Sequence, residues 1–428
     1  MKTKKIILIG AGLRGIAYTD IMAEAGTRYE VVAVAEPIED RREYIRKKHR
    51  VPPEMCFPSW EPLLSMPKFA DAAVIATMDR DHFAPTMAAI DRGYDILLEK
   101  PIAPTPQDCF RITEAANRKG VKVLVCHVLR FTPFFNLLKK CIDDGMVGEV
   151  MSIQHAEHVG NLHQSHSFVR GNWRNSEESS CMILQKTCHD LDILQWLVNK
   201  PCKRIQSFGS LSYFRKENKP AGAPLRCIDG CPVGETCPYN AVKVYLDDKE
   251  NRWFRTSATH RVEPTDADVE KAIRETDYGK CVFQCPNNVV DHQIVNMEFE
   301  GGVTVNMTME AFNKGGRSIV IMGTKGEIRG NMKEDTVTYF SLLTRETRQI
   351  PVTDASLNES IVGGHGGGDK GIVYAFYDLL TGNENSKSLC DVSVSCENHM
   401  LSFAAEESRL TGKVVDVADY IRQIRDTV

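Results

Sequence analysis

The chain has 428 residues, too many for one simple core, so two domains are expected. Its hydrophobic fraction of 42% and charged fraction of 26% are ordinary for a globular protein, and a net charge of −4 argues against nucleic acid or an anionic membrane as partner. No stretch approaches the length of a membrane span, and the apolar run after Lys4 and Lys5 meets glycines before any cleavage site, unlike a signal peptide.

In chain order, the first predicted element is a β-branched strand over residues 6–9. It enters a turn carrying Gly10, Gly12 and Gly15, and a helical pattern follows. Gly10 permits the tight turn, Gly12 lets backbone approach a pyrophosphate, and Gly15 lets the helix pack against the strand. A second strand, 31–35, ends in Glu36, where an acid accepts ribose hydroxyls about twenty residues past the last glycine. Together these define a dinucleotide site. Arg41 and Arg42 could reach a 2′-phosphate, but Glu36 would repel it, so NAD is expected over NADP.

Further apolar strands follow at 72–77, 95–98 and 121–126, with helices at 87–93 and 105–119 between them. Strands apolar throughout indicate a parallel sheet covered on both faces. Ligands sit beyond the carboxyl ends of such strands, where Thr77, His82, Glu99, Lys100 and His127 fall. Residues 150–154, 293–299, 303–309 and 318–321 are strand-like, with partial alternation and glycine turns. Residues 155–175 read as a polar, histidine-rich loop, and its irregular spacing argues against a metal. His158, Trp173 and Arg174 within it are candidates for substrate contact. In the helix after it, Lys186, His189 and Asp192 are three apart and expected on one face.

Residues 215–286 read as an insertion concentrating Cys227, Cys231, Cys237, Cys281 and Cys285. These suit either a compact structural metal site, zinc foremost, or free thiols in a long ordered loop. Near the end, a glycine-rich segment presents His365 and Asp369 toward a substrate, before helices at 371–380 and 393–411. Fourteen cysteines, mostly in apolar segments, point to a reducing, cytoplasmic setting.

Three motifs, Gly10-Ala11-Gly12-Leu13-Arg14-Gly15, Glu99-Lys100-Pro101 and His189 with Asp192, resemble the glucose–fructose oxidoreductase / inositol dehydrogenase (Gfo/Idh/MocA) family. Arg130-Phe131-Thr132-Pro133 and Met322-Gly323-Thr324-Lys325-Gly326 extend the resemblance over most of the chain. The resemblance implies an α/β fold: an N-terminal Rossmann domain (1–128), then an α+β domain (129–428) on a large, open, mostly antiparallel sheet. Copies would associate through that sheet as a homodimer or homotetramer. The implied activity is NAD-dependent oxidation of a secondary hydroxyl on a sugar, cyclitol or glycoside. Lys100 and His189 carry the chemistry, with Lys186 as an alternative proton acceptor. Leu13, Arg14 and Glu99 join the cofactor contacts, and Asp192 joins the substrate contacts. Many family dehydrogenases have an aspartate where this chain has Gln185, a departure that puts the usual catalytic trio in question. Redox-assisted glycoside cleavage and a non-catalytic sugar or nucleotide sensor are the alternative functions.

Overall fold

The computed structural model describes residues 2–352, 364–383, 386 and 388–428. Six strands form a wholly parallel sheet: β1 (Lys4–Ile9), β2 (Tyr29–Ala35), β3 (Cys56–Phe57), β4 (Ala72–Ile75), β5 (Asp95–Leu98) and β6 (Val123–Val125). Their order is β3-β2-β1-β4-β5-β6, the doubly wound arrangement of a dinucleotide-binding domain. Alternate side chains enter separate cores. Ile7, Ile9, Ile75 and Leu98 pack toward the helix Pro106–Lys119, while Ile6, Leu8, Val74 and Leu97 pack toward the helix Leu13–Glu24. With both faces covered, no strand needs a polar side, hence the unbroken apolar runs.

The second sheet comprises β7 (Val150–His158), β8 (Cys202–Ser210), β9 (His292–Phe299), β10 (Thr304–Glu310), β11 (Gly316–Gly323), β12 (Gly326–Asn331), β13 (Thr336–Ser341), β14 (Thr347–Pro351) and β15 (Val415–Asp416). The order is β14-β13-β12-β11-β7-β10-β9-β8-β15, antiparallel except where β7 meets β10. One face packs Ile153, Met297 and Met307 against Phe135, Leu138, Leu191 and Leu194 of the helices Pro133–Asp143 and Cys188–Val198. The other face is open, with Phe208 paired across strands with Ile294 and both exposed.

Three features differ from the sequence reading. First, β7 runs through His158, so His155–His158 are strand, not loop. Second, the helices Gly368–Thr381 and Val392–Thr411, although late in the chain, cover the two faces of the first sheet. Ile372, Val373 and Phe376 enter one Rossmann core, and Val392, Cys396 and Met400 enter the other. Third, much of the insertion is not loop but a small helical unit. Helices Arg252–Thr259 and Asp266–Glu275 enclose Tyr245, Phe254, Val269 and Ile273. No helix among the described residues is long and apolar enough to cross a membrane.

Candidate active site

At the glycine turn, an added Cβ on Gly10, whose φ is +87°, would lie 2.6 Å from Ala76 O, and one on Gly15 would lie 2.0 Å from Gly10 O. These two positions are closed to any side chain. A Cβ on Gly12 would instead meet nothing within 4 Å. Gly12 also precedes the helix Leu13–Glu24 without a side-chain cap, so the helix presents its first N–H groups uncapped beside open space. That cradle fits a pyrophosphate. Exposed Leu13 flanks it. Glu36, 3% exposed at the end of β2, accepts Ala11 N–H at 2.6 Å and Ile38 N–H at 2.9 Å. These bonds aim its carboxylate at the turn, where a ribose would lie. Arg42 donates to the carbonyls of Glu36 and Pro37, and Arg41 lies 3.3 Å from His260 of the insertion.

The end of β5 is braced from several directions. Glu99 accepts from Arg14 Nε at 2.8 Å, Tyr18 Oη at 2.6 Å and the Lys100 backbone N–H at 2.8 Å. Burial alone would raise its pKa, but the Arg14 and Lys100 charges hold it below the usual carboxylate value. Glu99 thus orients Lys100 through its backbone. Arg14 also makes a two-point bond to Asp369, at 2.9 and 2.6 Å. Its guanidinium thus joins Glu99 to Asp369, which is buried. Lys100 Nζ reaches into the second domain, donating to Gln185 O at 2.9 Å.

Gln185 ends the short helix Met182–Gln185, and His189 lies in the first turn of Cys188–Val198, whose start is marked by Thr187. The break between the helices overturns the expectation of one shared face. Lys186 turns to the sheet and pairs with Glu157 at 3.1 Å, within a cluster in which Arg317 binds Glu157 at 2.8 Å and Asp190 at 2.7 Å. Burial lowers the Lys186 pKa, opposed by Glu157 and reinforced by Arg317. Asp190 would be raised by burial, but Arg317 and His155 hold it low. Asp192 points elsewhere. Both its oxygens are taken, by the Arg130 fork at 2.7 and 2.8 Å and by Asn398 at 2.6 Å, and it is wholly buried. Asp192 therefore joins core elements and is not offered to a substrate. The His189 ring lies 5.9 Å from that of His127, edge to face.

Other sequence candidates are spent on structure. His82 is 1% exposed, with its ring nitrogens 2.7 Å from Pro101 O and 3.2 Å from Thr77 O. Wholly buried His127 lies 2.6 Å from Ser395 Oγ. Thr77 Oγ donates to Asp81 O at 2.9 Å in the loop after β4. His158 projects from the sheet face opposite Glu157, toward Ser318 at 3.2 Å, because strand side chains alternate. Arg174 pairs with Glu178 at 3.0 Å and with Asp277 of the insertion at 3.5 Å. Trp173 donates to Asp79 at 3.3 Å beside the end of β4. The His365 side chain lies outside the described residues. Tyr18, Glu157, Arg317 and Asn398 were not singled out beforehand. Their sites form only when distant segments meet.

The insertion also reaches the first domain: Asp40 accepts Val262 N–H at 2.9 Å and pairs with Arg261 at 3.3 Å. Its base gathers Cys227, Cys231, Cys237 and Cys281 around one cavity with Arg170. Cys285, in the same buried cluster as Cys281, does not line the cavity, and its thiol is directed at Cys281 O.

Comparison with known proteins agrees with this architecture. Residues 4–127 match the oxidoreductase family's NAD-binding Rossmann fold, and residues 139–417 match its C-terminal alpha/beta domain. YteT of Bacillus subtilis, named as an oxidoreductase, is 24% identical over 419 residues, 89% of this chain and 92% of its own. A 2,7-anhydro-N-acetylneuraminate hydratase of Mediterraneibacter gnavus is 29% identical over 199 residues, 46% of this chain and 50% of its own. A solved levoglucosan dehydrogenase in complex with NADH and L-sorbose shares the fold with a TM-score of 0.71 at 18% identity, covering 97% of this chain and 99% of its own. An Agrobacterium radiobacter oxidoreductase in complex with NAD+, L-tartaric acid and magnesium does so with a TM-score of 0.68 at 13% identity, over 98% and 99%. With both domains matched over nearly its whole length, the chain belongs to the Gfo/Idh/MocA oxidoreductase family and carries its NAD-binding Rossmann fold.

Proposed function

We propose that this protein oxidises a secondary hydroxyl of a sugar, cyclitol or glycoside, using NAD in preference to NADP. The observation that carries the reading is Lys100, which leaves a cofactor-side strand end and is anchored on Gln185 O four residues before His189. When bound, the dinucleotide supplies the hydride acceptor. Lys100 binds the substrate oxygen and stabilises negative charge growing there. His189 accepts the hydroxyl proton. Lys186, held by Glu157, is the poorer proton acceptor because its ammonium is already paired. The preference for NAD is supported by the Glu36 carboxylate and by the engagement of Arg42 and Arg41 elsewhere. Association of copies through the open sheet face, at Phe208 and Ile294, belongs to the same reading, and sedimentation velocity tests it.

The test is NADH formation against a panel of sugars and cyclitols, beside NADH titration by fluorescence. Lys100→Met should lower kcat by about 10²–10³ with NADH affinity little changed. Near-normal turnover by the folded variant would overturn the assignment. Gln185 at the expected aspartate position favours a second reading, glycoside cleavage by elimination in which oxidation is transient. In that case product accumulates while NADH never exceeds the enzyme concentration.

A further inference from the structure

The cysteine-bearing base of the insertion holds an electrostatic imbalance. Arg170 is 1% exposed. It donates to Lys280 O at 2.8 Å, Tyr239 O at 2.7 Å and Cys227 Sγ at 3.7 Å, and its guanidinium lies 5.9 Å from the centre of the Tyr245 ring. Its Nη1 has no hydrogen-bond partner, and the ionisable groups that act on it most are Tyr245, Cys227 and Cys285 rather than carboxylates. An arginine cannot shed its proton to escape this position, and a buried charge without a counter-charge is strongly unfavourable. Groups lining the same cavity are able to supply that negative charge. Those are Cys227, Cys231, Cys237 and Cys281, with apolar Val233, Val282 and Phe283 beside them. All four thiols are free of disulfides.

The surrounding chain has little regular structure. Between Lys219 and Tyr239 the backbone forms a single three-residue helical turn, Cys227–Asp229, and no strand. Cys281 N–H to Leu225 O, Gln284 Nε2 to Pro224 O at 2.7 Å and the bridge between Arg226 and Lys280 tie it to the segment carrying Cys281. Small loop-rich units of this kind are commonly stapled by a metal.

We propose that Cys227, Cys231, Cys237 and Cys281 hold a thiolate-ligated centre of zinc or iron, with Arg170 as its buried counter-ion. Four thiolates around a divalent ion, or around an iron–sulfide cluster, leave net negative charge for Arg170, and binding releases the thiol protons to solvent. Cys285, outside the cavity, is not a ligand, which accounts for the fifth cysteine. Two dimensions bear on the metal. The cavity of about 10 Å³ has room for one small ion. No three of the sulfurs lie within 4.8 Å of one another, whereas zinc at about 2.3 Å from each sulfur would draw them to about 3.8 Å. The first suits zinc, and the second suits an iron–sulfide cluster, in which each thiolate reaches a different iron.

The experiment is metal and sulfide analysis of the full-length wild-type protein purified without oxygen. About one zinc per chain, or about four irons with matching sulfide and a broad visible absorbance, supports the centre and identifies it. In the variants, Cys281→Ser should lose at least half of the metal while Cys285→Ser keeps it. A folded wild-type protein with less than about a tenth of an equivalent of zinc or iron, unable to take up zinc or iron with sulfide after thiol reduction, would overturn the proposal. So would metal loss in Cys285→Ser but not in Cys281→Ser. None of these readouts depends on turnover.

Discussion

His127, His166 and His399 are at most 2% exposed, and burial pushes their pKa values down to about 4, about 3 and about 3. His166 stacks on Phe254 at 4.2 Å, and His399 accepts Ile102 N–H at 3.1 Å, so both serve packing in their neutral forms. Their folded values lie below the usual value near 6.5, so all three are neutral in both states above it and contribute no pH dependence there. Below it, the unfolded chain binds protons that the folded chain refuses. Stability should therefore fall as pH drops from about 6.5 toward 4, by up to about 1.4 kcal/mol per unit for each histidine. Urea unfolding at several pH values checks this, and a flat profile above the carboxylate range would contradict it. Histidine as a residue type says little by itself. His127 follows a strand end, a position from which the sequence expects a cofactor contact, and tertiary packing adds a contact to Ser395 that no local pattern signals.

At the scale of single elements, the glycine turn separates folding from binding. Gly10→Ala would force a Cβ into Ala76 at positive φ, so it should destabilise the protein by more than about 1 kcal/mol. Gly12→Ala meets nothing and keeps an extended φ/ψ of −70° and −170°, so its melting temperature should stay close to wild type. Its methyl group stands where the pyrophosphate would come, so NADH affinity should fall at least about tenfold. Thermal melts beside fluorescence titration test both. Equal NADH binding by Gly12→Ala and wild type would remove the cradle from the cofactor site. This turn was legible in the sequence because its requirements are local. The histidine-rich stretch was not. Its early part continues β7 by pairing with β10 and β11, partners more than 140 residues away.

Across the whole molecule, the helix Val392–Thr411 joins the two cores. Cys396, Met400 and Phe403 pack into the Rossmann core, while Leu401, Ala404 and Ala405 pack into the core of the second sheet. One helix shared between two cores couples their unfolding. Met400→Ala, at a wholly buried position, should cost about 2–5 kcal/mol and lower a single calorimetric transition. Two resolved transitions, only one of them shifted, would show that the cores unfold independently.

Local patterns carried the parallel sheet, the phosphate turn, the Glu36 position and the strand-end lysine, because strand periodicity and glycine conformation depend on neighbouring residues. Partner choice is another matter. Arg14 meets Asp369 across 355 positions and Asp192 meets Asn398 across 206, and burial forces each charge to find whatever counter-group the fold brings within reach. Spacing on an assumed continuous helix placed Lys186, His189 and Asp192 together, yet a break at Thr187 and three different partner sets separated them. The sequence by itself determined which chemistry the chain contains. Which of those groups face a ligand and which neutralise one another in the core was decided only when both sheets closed around the helices between them.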